Sequence, residues 1–90
     1  MNKEQRKQLD AFKAKLESMK DDLDVIKSDV ETIKDEEEMK FDNLSEGLQQ
    51  AESGQRIENA KDRLDAAVSN MDDAISNLEQ AISEIESAQE

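Results

Sequence analysis

Carboxylates are the residues of this chain with the most chemical potential: 24 of its 90 residues are Asp or Glu, against 12 Lys or Arg. Neither histidine nor cysteine accompanies them. The commonest general base and metal ligand is therefore missing, together with any thiol nucleophile, thiolate metal site or disulfide. The run DDLDVIKSDVE, residues 21–31, has the carboxylate density of a calcium loop. It lacks the glycine bend such a loop needs, and Leu23 and Ile26 in it belong to an apolar ladder. Glu36, Glu37 and Glu38 crowd together without the histidine of a bundle di-metal site. Gly47 and Gly54 have neither the spacing nor the following lysine of a phosphate loop. With 2% aromatic residues to build a pocket, no carboxylate pair is singled out for acid–base work. The expectation is a protein that is not an enzyme and needs no cofactor or metal.

What positions these residues is a pair of heptad ladders. In the first half Leu9, Phe12, Leu16, Met19, Leu23, Ile26, Val30 and Ile33 recur at alternating steps of three and four. In the second, Ile57, Leu64, Met71, Leu78 and Ile85 recur every seven, interleaved with Ala60, Ala67, Ala74, Ala81 and Ala88. This pattern is that of a coiled coil. Charged residues make up 40% of the chain, a level at which many sequences stay disordered, but regular apolar spacing predicts a folded rod. The fold class expected is all-α: an antiparallel helical hairpin forming one domain over residues 1–90. Helix one should run over about 3–41, the corner over about 42–53 and helix two over about 54–88.

Both glycines fall in the corner, DNLSEGLQQAESG, where Asp42 and Asn43 favour a helix end. Ser45 is placed to cap a short helical turn and Ser53 to cap helix two. Glu37 and Lys40 interrupt the first ladder, and Phe41, Leu44, Leu48 and Ala51 resume it in a shifted frame, which predicts a small apolar knot. With the bend centred between Leu48 and Gln49, Phe12 should meet Ile85, Met19 Leu78, Ile26 Met71 and Ile33 Leu64. Leu9, Leu16, Leu23 and Val30 should then face Ala88, Ala81, Ala74 and Ala67.

Charge supports the same hairpin. Residues 1–20 carry six Lys or Arg against three Asp or Glu, a net of +3, whereas residues 71–90 carry six acids and no base, a net of −6. Arg6, Lys13, Lys20, Lys27 and Lys34 repeat every seven, as do Glu58, Asp65, Asp72, Glu79 and Glu86, and an antiparallel fold sets these stripes along one edge. Helix two has a third apolar column, Val68, Ile75 and Ile82, wider than a two-stranded coil requires. That column is the expected oligomer interface, joining two hairpins as a C2 four-helix bundle. The alternative is that lysine stems cover it within a single hairpin.

The run DEEEMKFDNLSEGLQ, residues 35–49, followed by an Ala- and Ile-rich heptad helix, resembles short acidic helical proteins of bacteriophages and prophages. The likeness rests on Asp42, Asn43, Leu44, Leu48 and Gln49, with Ser45 where proline is common, and it implies a phage setting but no reaction. These residues are expected to close the corner, with partner contact the alternative. Three functions remain open. The leading one is a self-associating oligomerisation or adaptor module. The second is an acidic nucleic-acid mimic presenting Asp65, Asp72, Asp73 and Glu79 to a basic protein partner, since a net charge of −12 repels nucleic acid itself. The third is a small-ligand binder at the corner. No apolar run approaches a membrane span, and the polar start MNKEQRKQLD lacks the apolar stretch of a secretory signal, so a cytoplasmic protein is expected.

Overall fold

The computed structural model describes every residue from Met1 to Glu90. Three helices follow in order: α1, Lys3–Asp42; α2, Glu46–Gln50; and α3, Glu52–Gln89. The two long helices fold back on one another into a rod of 67 × 15 × 14 Å. There is no proline to interrupt either of them. The start of α1 is fixed by a reciprocal cap, in which Gln5 N donates to Asn2 Oδ1 at 2.8 Å and Asn2 N to Gln5 Oε1 at 3.3 Å. Two of the donors that every helix start leaves unpaired are thereby satisfied.

The antiparallel register is set along one edge by three ion pairs: Lys20 with Glu79 at 3.9 Å, Lys27 with Asp72 at 2.6 Å and Lys34 with Asp65 at 3.5 Å. They advance by one heptad on α1 while retreating by one on α3, as two antiparallel helices require. The basic and acidic stripes thus share an edge, as their spacing predicts. Interpolating between the pairs sets Val30 at the level of Ser69, Leu23 at that of Ser76 and Leu16 at that of Ser83, each one residue beyond Val68, Ile75 and Ile82.

Here the packing departs from the expected layers. Leu9, Leu16, Leu23 and Val30 are half-buried, but so are Lys13, Lys20, Lys27 and Lys34, while Phe12, Met19, Ile26 and Ile33 stay exposed. On α3 the most enclosed residues are Gly54, Val68 and Ile82, the three buried residues of the molecule. α1 is thus rotated about its axis toward the lysine edge, while on α3 the alanines Ala67, Ala74 and Ala81 stay half-buried beside the Val68, Ile75 and Ile82 column, in which Val68 and Ile82 are buried. The rotation brings lysine stems over apolar surface and their ammonium groups to the acids of α3. Its cost is one α1 column left without a partner.

At the corner, Ser45 caps α2, its side chain accepting from Leu48 N at 3.4 Å. Ser53 does not cap α3: it lies inside that helix, whose first cap residue is Ala51, and no side chain caps it. Instead of one bend between Leu48 and Gln49, the chain turns on either side of α2. Gln49 ties this together, its Nε2 donating to Phe41 O at 3.1 Å and Leu44 O at 3.3 Å, while Gln55 Nε2 donates to Gln49 O at 3.1 Å. These bonds tie the last turn of α1, the link after it and α2 to one another through their carbonyls. Gly54 is required by proximity, since a Cβ there would sit 2.3 Å from Leu48 O. Phe41 and Leu44 are half-buried, but Leu48 is exposed, so the apolar knot is smaller than the sequence suggests.

Candidate interaction surface

The hairpin presents two unlike faces. On the lysine edge, the side chains of Lys13, Lys20, Lys27 and Lys34 are only 21–26% exposed although they carry charge. For two of them neighbouring acids favour the charged form: the hydrogen bond to Asp72 raises the pKa of Lys27 and the field of Glu17 raises that of Lys20. Near the open end, Gln89 Nε2 donates to Asp10 Oδ1 at 2.8 Å and Arg6 O at 3.0 Å. That bond lowers the Asp10 pKa below the ordinary carboxylate value. At the far end of α1, Lys40 bonds Glu37 at 2.8 Å and its pKa is raised by that bond.

The other face is apolar. One residue on from Phe12 is Lys13, about 100° around the helix, so the column Phe12, Met19, Ile26 and Ile33 points away from the lysine edge. These four side chains are 50–56% exposed. Val25 and Met39, a further step around α1, are more exposed still. Across the same face on α3 lie half-buried Leu64, Met71 and Leu78 with the small residues Ala67, Ala74 and Ala81. Isolated exposed apolar residues are ordinary, but a column that repeats at every heptad from Phe12 to Ile33 makes this face the candidate interaction surface.

The expected sites fall differently. Val68, Ile75 and Ile82 are enclosed within the hairpin, Val68 and Ile82 being its most buried large side chains, so this column is corrected from an external interface to the internal seam. Beside it run the half-buried lysines Lys20, Lys27 and Lys34, paired with Glu79, Asp72 and Asp65 of α3. Of the four proposed mimic residues, Asp65, Asp72 and Glu79 are engaged by Lys34, Lys27 and Lys20, and Asp73 alone of the four makes no ion pair. Asp42 ends α1, and Asn43 caps it with a backbone bond to Met39 O at 3.1 Å. Leu44 and Gln49 pack or bond within the corner, while Leu48 projects outward. The exposed α1 column was visible in the sequence as half of the first ladder. What hid its exposure is that either half of that ladder can serve as the seam.

The surface has one concavity, lined by Lys34, Glu38, Lys61 and Asp65, with no apolar residue; it lies along the hairpin, not at the corner. No group of three acidic side chains converges closely enough to hold a metal ion. No helix is long and apolar enough to cross a membrane. No family model matches the chain, and no curated protein or solved structure matches it.

Proposed function

We propose that the chain is a small non-enzymatic self-associating module, a helical hairpin that acts by oligomerisation or as an adaptor. The observation behind this reading is the exposed column Phe12, Met19, Ile26 and Ile33. A hairpin with three buried residues has little core of its own, and small domains commonly gain the missing burial by association. A four-helix bundle is the simplest closed form for two such hairpins. The nucleic-acid-mimic reading has less support, because lysines of the same chain already engage three of its four acids. A cytoplasmic, phage or prophage setting belongs to the proposal through the likeness at residues 35–49.

Light scattering at micromolar concentration tests the reading. The mass expected is a multiple of 10.2 kDa, dropping to one chain on Ile26→Lys with helical circular dichroism retained. A wild-type chain that stays monomeric would overturn it.

A further inference from the structure

The apolar face commits to a second copy of this chain, and the charge distribution of α1 says how that copy must lie. Residues 1–20 have six bases and three acids, a net of +3. Residues 21–42 have three bases and ten acids, a net of −7. The helix is therefore bipolar along its length. Its exposed column is centred between Asp22 and Leu23, two residues from the point that divides the charges, with Met19 and Ile26 on either side and Phe12 and Ile33 beyond them.

Resting on the self-association reading, we propose that two hairpins dock antiparallel, α1 against α1, with their corners at opposite ends of the bundle. Phe12 of each copy then meets Ile33 of the other, and Met19 meets Ile26. The basic half of each α1 covers the acidic half of its mate. Corner-to-corner docking would instead bring the two strongly acidic halves to the same end, where charge of one sign accumulates. The alanines Ala67, Ala74 and Ala81 on the same face let the α3 helices approach closely.

Flanking side chains give the register a sharper expression. Beside the exposed column run Gln8, Lys15, Asp22, Asp29 and Glu36. Lys15, Asp22, Asp29 and Glu36 are exposed and make no ion pair within the hairpin, in contrast to the lysines of the opposite edge. In the antiparallel dimer Lys15 of each copy falls beside Asp29 of the other, so the unpaired base acquires an acid. Asp22 meets its own symmetry mate at the dyad. Lys15→Glu should therefore weaken the dimer several-fold, Lys15→Glu with Asp29→Lys should restore it, and Asp22→Asn should tighten it.

The deciding experiment uses distance between copies. The chain has no cysteine, and Gly47, at the tip of the rod, has open space where a Cβ would go, so a spin label on Gly47→Cys leaves the packing intact. In the antiparallel dimer the two labels are roughly 60 Å apart, the length of a helix of some forty residues. Fluorescence transfer between copies labelled at Lys3→Cys and at Gly47→Cys is expected to be efficient, because those positions lie at the same end. A dimer by mass with tip labels within about 25 Å, the width of two packed helix pairs, would overturn the docking direction and leave self-association standing. A monomer by mass would remove both.

Discussion

Lys27 Nζ lies 2.6 Å from Asp72 Oδ1, joining residues 45 apart in sequence across the seam of the hairpin. The pair does more than match charges. To reach Asp72, the lysine lays its aliphatic stem along the edge of the apolar seam, and its side chain is left 26% exposed. The ion pair itself is solvent-screened, and exposed pairs contribute little to stability.

From this follows an ordering of variants. Lys27→Met keeps a long apolar stem and loses the charge, whereas Lys27→Ala loses both. Thermal unfolding followed by circular dichroism should show the alanine variant melting lower than the methionine one. Equal melting temperatures would mean that the stem covers nothing of consequence.

The two glycines should respond in opposite senses. Gly54→Ala drives a methyl into the Leu48 and Gln49 carbonyls, fixed backbone that cannot give way cheaply, and should destabilise by about 1–3 kcal/mol. Gly47→Ala meets nothing within 4 Å and replaces a poor helix former, so it should stabilise by up to about 1 kcal/mol. Urea unfolding at constant slope distinguishes them, and loss of stability in both would show that the corner depends on Gly47 as well.

Burial predicts another contrast. Ile82 is 6% exposed and Val25 is 61% exposed. Ile82→Ala should cost about 2–4 kcal/mol through lost contacts and a cavity, while Val25→Ala should stay within about 0.5 kcal/mol. Similar losses at both positions would mean that Val25 is covered in solution. Ile75→Lys should unfold the hairpin, since Ile75 lies in the internal seam, whereas Ile26→Lys should leave it folded.

Much of this architecture was legible because heptad spacing and charge stripes report on topology directly. Lys20, Lys27 and Lys34 against Glu79, Asp72 and Asp65 define the antiparallel fold before any packing is known. Rotation about the helix axis is a different matter. On α1 the columns led by Phe12, Leu9 and Lys13 are adjacent, and apolarity alone ranks the first two together as core. The lysine column entered the seam because four methylenes can cover apolar surface while an ammonium reaches a carboxylate, a property absent from an apolar–polar pattern. At the corner, Ser45 was readable as a cap from its type. The bonds of Gln49 to Phe41 O and Leu44 O were not, because they depend on how α2 folds under the end of α1.

Electrostatics sets two opposing effects against each other, and their magnitudes decide the outcome. The Asp10 carboxyl, bonded by Gln89, titrates below its unfolded value, so its contribution is complete above that value and is lost as pH falls through the folded one. Lys20, Lys27 and Lys40 titrate above the ordinary lysine value; their contribution is complete below it and is lost as pH rises through the folded one. Across the interval from about pH 5 to about pH 9 these local terms are nearly constant. The net charge of −12 is not confined to those sites and repels itself throughout that range. Adding salt from about 10 mM to about 500 mM at neutral pH should therefore raise the melting temperature, because screening removes many weak repulsions and only a few exposed attractions. Acidification from neutral toward the isoelectric region near pH 4.3 should act in the same direction. A melting temperature that fell with salt would show that the Lys20, Lys27 and Lys34 pairs outweigh the net repulsion. Gln89→Leu isolates the local term: a nuclear magnetic resonance titration should find the Asp10 pKa raised toward the ordinary carboxylate value, while the salt response of the whole hairpin keeps its sign.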